Sequence, residues 1–288
     1  MKQGPLAELL LERFDSMPPQ LQMASRFVLD HPDDVALMSM REQANRAGVS
    51  HSTMMRLARS LGLNSYEEMR ALYARGLREA HRNFEVPGLS EGEDAEQGGF
   101  SLVGRMSDTL AAQVARFGDY GAARQLMAAA DVLAGGRRLF CLGLRSEHAV
   151  AHHFNQTLSL FDEQATLLDA VGGTGIDNLG QGGSGDVMLA VGVEPYTRAT
   201  VEIARQAAAF DIAVVAITDS QVSPLARIAR QSIIVTTHSL VGFQSLVSAM
   251  AAAEILAALV AARRGIDVEQ ALQEAKARLS ALDVYWSS

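Results

Sequence analysis

The fold of the first part of the chain is decided by residues 39–61, SMREQANRAGVSHSTMMRLARSL. Ser39 can cap one helix, Gly48 falls in a short turn, and Ser50 can cap a second helix that runs to about Leu61. Two helices joined by a short glycine-containing turn form the helix-turn-helix unit. The stretch therefore predicts a DNA-reading unit whose second helix enters the major groove.

The second helix of this unit is expected to present a polar face to DNA. Short polar side chains near its N-terminus can approach base edges, and the arginines that follow can reach guanine or phosphate. The expected DNA-contacting residues are Ser50, His51, Ser52, Thr53, Arg56 and Arg59. The alternative is an ordinary helical bundle with a solvated polar face.

Charge is distributed unevenly along the 288 residues. The chain has 25 basic and 33 acidic side chains, a formal net charge of −8, which argues against coating nucleic acid through bulk charge. Residues 39–82 nevertheless hold eight arginines against four glutamates, a net charge of +4. This local excess agrees with a DNA-binding segment, and its modest size predicts that firm binding needs a dimer.

A glycine-rich acidic stretch separates two parts of different pattern. Residues 87–100 offer few side chains that could build a core, so they are expected to form a linker. The prediction is a helical DNA-binding domain at residues 1–86 and a larger domain at residues 101–288. The first domain shows helical patterns and no strand signal.

The larger domain alternates short apolar runs with helical patterns. Strands are predicted at 137–142, 165–169, 186–193, 212–217 and 232–236, and helices near 146–161, 197–209, 223–230 and 242–263. The runs are apolar throughout, as expected when helices cover both faces of a parallel sheet. The expected fold is an all-α helix-turn-helix domain followed by an α/β three-layer sandwich with a five-stranded parallel sheet. Ligands of such a sheet bind beyond the carboxyl ends of the strands.

Composition excludes several other classes of protein. The single cysteine, Cys141, permits no internal disulfide and no thiolate metal cluster. The N-terminus lacks the apolar core of a signal peptide, and Glu254 interrupts the longest apolar stretch, which predicts a buried helix rather than a membrane span. We expect a cytoplasmic protein without membrane contact.

Residues 18–77 resemble the N-terminal domain of the RpiR/MurR family of bacterial transcriptional regulators. The resemblance rests on five short motifs: His31-Pro32, Met38-Ser39, Ala47-Gly48-Val49-Ser50, Leu61-Gly62-Leu63 and Tyr66. Two places depart from the family pattern. The usual Leu-Ala is Gln43-Ala44 here, and the usual Val-x-Arg-Phe is Met54-Met55-Arg56-Leu57, which keeps the arginine in place.

The resemblance implies a sugar isomerase (SIS) domain over residues 101–288. The sequence Ile217-Thr218-Asp219-Ser220, followed by Ser223-Pro224-Leu225-Ala226, fits such a domain. The alanine-rich helix at 242–263 fits its dimer-facing helix. The family therefore implies a homodimer or homotetramer that places two reading heads on a palindromic operator.

SIS domains hold phosphosugars through hydroxyl-rich loops, and this chain departs from that pattern. The usual Ser-x-Ser-Gly-x-Thr falls on residues 192–197, where only Thr197 survives and Glu194 replaces a serine. Arg198 can offset Glu194, and Pro195 removes a backbone donor. The expected ligand-binding residues are Arg145, Ser146, Glu194, Tyr196, Thr197, Arg198, Asp219, Ser220 and Ser239. The expected effector is a sugar, a sugar phosphate or a related polyol or carboxylate. Glu194 facing a hydroxyl or ammonium group, with Arg145 facing an anion, favours an unphosphorylated compound, and the alternative is a phosphosugar bound through Arg145, Ser146, Thr197 and Arg198.

The function predicted from these features is ligand-modulated transcriptional regulation, without catalysis and without a metal or other cofactor. His148 and His152 have a spacing that can chelate a metal, but no carboxylate completes a recognised motif, so a surface or interface role is expected. The alternative function is a sugar-phosphate isomerase with an accessory N-terminal domain. It requires a placed base, for which Glu147, Glu194 and Glu254 are the available carboxylates.

Overall fold

The computed structural model describes residues 6–80, 95–161, 165–169, 176–239, 244–284 and 286. The chain divides into two compact units. One holds residues 1–102 together with 220–222, and the other holds residues 103–219 and 223–288.

The described part of the first unit is helical. Six helices precede the gap in the described residues: α1 (Ala7–Arg13), α2 (Pro19–Asp30), α3 (Pro32–Leu37), α4 (Met40–Arg46), α5 (His51–Ser60) and α6 (Tyr66–Ala80). Their buried faces share one core, whose members include Leu10, Val28, Met54, Leu57, Met69 and Tyr73. The two helices expected to follow Ser39 and Ser50 are confirmed, whereas α3 was not predicted.

The ends of α4 and α5 are fixed by serine caps. The Ser39 hydroxyl accepts a hydrogen bond from the Glu42 backbone N–H (3.4 Å), and the Glu42 carboxylate accepts from the Ser39 N–H (2.9 Å), which completes a capping box. Between the two helices, Gly48 has φ +64°, a left-handed conformation that glycine adopts without steric cost. The sequence signals for this turn therefore act as predicted.

A buried hydrogen-bond network joins three helices of the first unit. The Gln43 side chain is fully buried, and its amide Nε2 donates to the carbonyl oxygens of Val35 (3.1 Å) and Met38 (3.0 Å). The buried Tyr66 hydroxyl donates to Gln43 Oε1. The substitution of glutamine for the leucine usual in this family thus introduces a polar group whose donors and acceptor are satisfied.

The second unit is a parallel sheet between two layers of helices. Its strands are β1 (Leu139–Leu142), β2 (Ala165–Leu168), β3 (Val187–Val191), β4 (Ala213–Thr218) and β5 (Gln231–Ile234), paired in the order β2-β1-β3-β4-β5. Its helices are α7 (Ala95–Ala115), which begins in the first unit, α8 (Tyr120–Ala134), α9 (His148–Leu160), α10 (Arg198–Ala209), α11 (Val247–Arg263) and α12 (Val268–Ala281).

Alternate strand residues face the two helical layers. On β3, Val187, Leu189 and Val191 join one core cluster with α8, α9 and α11. Met188 and Ala190 join a second cluster with α10 on the opposite face. This burial on both faces explains why the strands are apolar throughout, and it confirms the three-layer sandwich.

A buried carboxylate fixes the amino ends of two central strands. Asp186 precedes β3, and its side chain accepts hydrogen bonds from Arg137 (3.1 Å), from Arg138 (2.7 Å) and from the Gly183 N–H (3.0 Å). Burial raises the pKa of Asp186, but these donors outweigh burial and lower the pKa to about 2.

Several predicted boundaries differ from the structure. All five strands are present within two residues of the predicted ends. The segment 223–230 forms turns instead of the predicted helix. The Ser223 hydroxyl accepts from the Ala226 N–H (3.0 Å) as a helix cap does, but the Arg230 N–H already donates to the Val214 carbonyl oxygen on β4 (2.7 Å), so the first turn is not continued as a helix. Helix α7 begins at Ala95, so the last six residues of the expected linker are helical, since a long helix tolerates Gly98 and Gly99. Residues 87–94 of that linker and 242–243 of the predicted last helix lie outside the described residues, and α8 and α12 were not predicted.

Candidate functional site

Helix α5 presents an exposed polar face above a buried apolar stripe. Met54, Leu57 and Ala58 are fully buried in the core of the first unit. At 100° per residue, the opposite side of the helix carries the exposed residues His51, Ser52, Arg56 and Arg59. Five of the six predicted DNA-contacting residues, these four and Ser50, are therefore solvent-accessible on one segment.

The prediction that Thr53 faces outward is wrong. Thr53 is 5% exposed, and its position on the helix falls beside the buried Leu57 rather than beside Arg56. Its backbone N–H donates to the Ser50 hydroxyl (3.2 Å), and its own hydroxyl lies 2.9 Å from that of Ser50. Thr53 is thus part of the cap that begins α5.

Met55 is a candidate contact that sequence reasoning missed. It is half-buried and lies on the exposed side of α5, between His51 and Ser52 in angular position. A partly exposed apolar side chain on a recognition helix can contact the methyl group of thymine. Part of its side chain packs against the core of the first unit. The signal available in the sequence was its angular position, away from the inward-facing Met54 and Leu57.

The carboxyl ends of β1 and β3 form the topological switch point of the sheet. The connection from β1 leads to α9 on one face, and the connection from β3 leads to α10 on the other. Strands β1 and β3 are hydrogen-bonded neighbours, with Leu142 opposite Ala190. A crevice between the two connections is where ligands of such sheets bind. We name residues 143–147 the β1 loop and residues 192–198 the β3 loop.

The β3 loop is tied to the end of β4 by one carboxylate. The Asp219 side chain accepts a hydrogen bond from the Glu194 backbone N–H (3.0 Å) and another from the Tyr196 hydroxyl (2.9 Å). Glu194 is exposed, while Tyr196 and Asp219 are half-buried. Thr197 precedes α10, and its side chain makes no capping hydrogen bond. The structure thus brings four of the predicted ligand residues together.

The Arg198 guanidinium binds a carboxylate of its own helix. The Arg198 guanidinium Nε donates to the Glu202 carboxylate at 2.6 Å, one turn further along α10. Its side chain is 90% exposed, and Glu202 raises its pKa. The i,i+4 spacing places Glu202 on the same face of α10 as Arg198. The Arg198 Nε is therefore engaged within the helix.

The β1 loop places a buried carboxylate beside two exposed predicted residues. Arg145 is exposed and has φ +62°, whereas Ser146 is exposed and its hydroxyl donates to Glu147 Oε2 (3.2 Å). Glu147 is 6% exposed and stands immediately before α9. A Cβ on Gly143 would lie 2.5 Å from the Glu147 carbonyl oxygen, so only glycine permits this loop. Glu147 was considered for catalysis but not among the binding residues.

Two predicted ligand residues lie elsewhere. Ser220 is 1% exposed, and its hydroxyl accepts from the Val222 N–H (3.3 Å), which gives it a role in the turn after β4. Ser239 is buried and lies five residues beyond the end of β5, a strand that is separated from β3 by β4. Neither is an exposed group of the two loops.

The histidines of α9 contact neighbours on the surface. The rings of His148 and His152 are 5.8 Å apart, and His153 Nε2 lies 3.3 Å from Glu254 Oε1. Among the described residues, no group of three or more histidine, cysteine, aspartate or glutamate side chains could hold a metal ion. No helix of the described chain is long and apolar enough to cross a membrane.

Comparison with known proteins agrees with both parts of this description. The model of the rpiR-family helix-turn-helix domain matches residues 6–78, and that of the SIS domain matches residues 132–262. A curated HTH-type transcriptional regulator of Caldanaerobacter subterraneus subsp. tengcongensis is 22% identical, over 94% of this chain and 96% of its own length.

Two solved structures share the architecture. Vibrio vulnificus NanR, complexed with ManNAc-6P, is 19% identical with a TM-score of 0.54, and the match covers 96% of this chain and 98% of NanR. The sugar isomerase domain of an RpiR transcription factor from Sphaerobacter thermophilus is 25% identical with a TM-score of 0.54, over 62% of this chain and 98% of that domain.

A helix-turn-helix unit followed in one chain by an SIS domain defines a class of ligand-sensing DNA-binding regulators. Within that class, this chain belongs to the rpiR family of helix-turn-helix transcriptional regulators.

Proposed function

We propose that this protein binds operator DNA through α5 and changes its operator affinity when a sugar-like metabolite occupies the crevice between the β1 and β3 loops. The exposed basic face of α5 on a buried apolar stripe is the observation that carries the DNA-binding part. The polar loops at the switch point of the sheet support the sensing part.

The exposed residues of α5 have different parts in this proposal. His51 and Ser52 lie at the helix N-terminus and approach base edges. Arg56 lies further along the same face, where a guanidinium can donate two hydrogen bonds to guanine. Arg59 lies one turn beyond Arg56, where it contacts phosphate.

The proposed active form is a homodimer on a palindromic operator. Eight residues of α11, the expected dimer helix, are buried, mostly in the protein's own core, although its outward face keeps Val247 exposed. Helix α12 offers a longer apolar face: Val268, Leu272 and Leu282 are 40%, 43% and 73% exposed. Their alternating spacing of four and three residues is that of a coiled-coil seam, and it continues through Leu279, which is half-buried, and Ala275, which is buried against the protein's own chain.

The SIS domain is proposed to sense its ligand without converting it. The carboxylates Glu147 and Glu194 do not by themselves make an isomerase, because the reaction requires a base placed to carry a proton between the two carbons and a second group that moves a proton between the two oxygens. Incubation with aldose and ketose phosphates, followed by nuclear magnetic resonance, is expected to give no interconversion.

Selection of sheared genomic DNA from the source organism tests the DNA-binding proposal. The wild-type protein is expected to enrich a small set of fragments that share an inverted repeat. Arg56→Ala is expected to lose this enrichment, whereas Arg70→Ala, which removes an exposed arginine from α6, keeps it. Equal enrichment by Arg56→Ala and wild type would show that another surface reads DNA.

A further inference from the structure

Two hydrogen-bond donors of the β3 loop, which an anionic ligand group would need, already donate to a carboxylate of the protein. The Glu194 N–H donates to Asp219, and the Tyr196 hydroxyl donates to the other oxygen of the same carboxylate. Pro195 has no N–H to give. A phosphate at this loop would have to displace an internal carboxylate from two hydrogen bonds.

The charges around the crevice also oppose an anion. Carboxylates follow three adjacent strands: Glu147 after β1, Glu194 after β3 and Asp219 after β4. The nearby arginine of α10, Arg198, is engaged by Glu202. Arg145 is the remaining guanidinium on the described residues of the two loops, so carboxylates outnumber cations there.

The same groups suit a ligand rich in hydrogen-bond donors. Carboxylate oxygens accept hydrogen bonds and have none to donate, so they pair with hydroxyl and ammonium groups. Thr200, in the first turn of α10, packs its methyl group near Gly192 beneath the β3 loop, and its buried hydroxyl has no hydrogen-bond partner in the described structure. Thr197 adds a half-buried hydroxyl.

We infer that the effector is a polyhydroxy compound with no phosphate at the β3 loop: an unphosphorylated sugar, polyol or amino sugar whose hydroxyl or ammonium groups donate to Glu194, Asp219 and Glu147. This inference rests on the proposed sensing function. It names Glu194 and Asp219 as the residues that set specificity against phosphosugars.

Calorimetric titration with matched pairs of compounds tests the inference. The pairs are glucosamine and glucosamine 6-phosphate, N-acetylmannosamine and its 6-phosphate, arabinose and arabinose 5-phosphate, and sorbitol and sorbitol 6-phosphate. In at least one pair, the unphosphorylated member is expected to bind at least tenfold more tightly. Tighter binding of the phosphorylated members would overturn the inference, and so would a panel in which nothing binds.

Two variants connect that preference to the crevice. Glu194→Ser, at an exposed position that tolerates change, and the double variant Glu194→Ser with Asp219→Asn are expected to shift the preference at least tenfold toward phosphate. Glu274→Ser removes an exposed carboxylate from α12 and serves as the charge-matched control, with no shift expected. An unchanged preference in a folded Glu194→Ser variant would contradict the assignment.

The DNA selection described above, run on the same protein preparations, distinguishes failure of the inferred ligand class from failure of the proposed regulatory function. Specific DNA enrichment together with a phosphate preference would overturn the ligand class and leave the regulator intact. Absence of specific enrichment would overturn the proposed function, whatever sugar the protein binds.

Discussion

At the scale of single residues, Arg56 and Arg59 are both exposed on one face of α5, and we propose different DNA contacts for them because they lie one turn apart along the helix. Arg56→Ala is expected to cost about 1–3 kcal/mol of operator binding and to relax specificity at one base pair. Arg59→Ala is expected to weaken binding to all sequences and to reduce the slope of log affinity against log salt by about 1. Fluorescence anisotropy on single-base operator variants, at several salt concentrations, measures both effects. Identical signatures for the two variants would contradict these roles.

The network of Gln43 and Tyr66 gives a stability prediction. Gln43→Leu leaves the buried Tyr66 hydroxyl and two backbone carbonyls without their partner, so it is expected to lower the free energy of unfolding by about 2–4 kcal/mol. Tyr66→Phe should be less harmful in the Gln43→Leu background than alone, since the orphaned hydroxyl is then absent. Urea unfolding of the four proteins measures this coupling. Strictly additive effects would contradict the network.

Asp186 gives a prediction about pH. Its folded pKa of about 2 lies below the usual value for aspartate, so ionised Asp186 stabilises the fold above about pH 4, and this contribution is lost as the pH falls toward 2. Asp186→Asn is expected to lower stability near neutral pH by about 2 kcal/mol and to flatten the decline between pH 4 and pH 2. Thermal unfolding across that range tests it. An equally steep decline in the variant would contradict the assignment.

Individual residues show which local features the sequence predicts and which features depend on packing. The caps at Ser39 and Ser50 and the turn at Gly48 could be predicted because each signal is local. Thr53 could not be oriented from polarity alone, since a threonine near the start of a helix can serve the cap as well as a ligand. In the sequence, Gln43 is a replacement of leucine by a side chain of similar size. The hydrogen bonds of its amide to Val35, Met38 and Tyr66 depend on how the helices pack, so the sequence did not predict them.

At the scale of elements, the five strands could be predicted because both faces of each are buried, which leaves a continuous apolar run. The predicted helix at 223–230 is wrong. The Ser223 hydroxyl binds Thr218 at the end of β4, and the N–H of Arg230, the residue directly before β5, donates to the Val214 carbonyl oxygen on β4. The hydrogen-bond partner of the β3 loop could not be predicted from the sequence either. Asp219 is 25 residues from Glu194, and only strand order makes them neighbours.

Helix α12 carries the prediction at this scale. Leu272→Lys combined with Leu282→Lys places two charges on its exposed apolar face and is expected to convert the proposed dimer to a monomer. Gln273→Lys adds a charge to a neighbouring exposed position of the helix and should leave the dimer intact. Light scattering after size-exclusion chromatography distinguishes the species. A dimer that survives the double substitution would assign the interface to another surface.

At the scale of the whole molecule, the net charge of −8 is the sum of two unlike parts. The basic excess lies in residues 39–82, and residues 87–288 carry 14 basic and 22 acidic side chains. This division gives each part a separate task, DNA contact in one and ligand sensing in the other. Coupling between the tasks requires a ligand that binds two states of the protein with different affinity.

Reciprocal titration tests that coupling most directly. Operator affinity is measured with and without the tightest-binding sugar of the matched panel, and sugar affinity is measured with and without operator. The account predicts that both affinities change by the same factor, at least fivefold, because linkage between two binding sites is reciprocal. A sugar that binds the crevice tightly while operator affinity stays unchanged would contradict it.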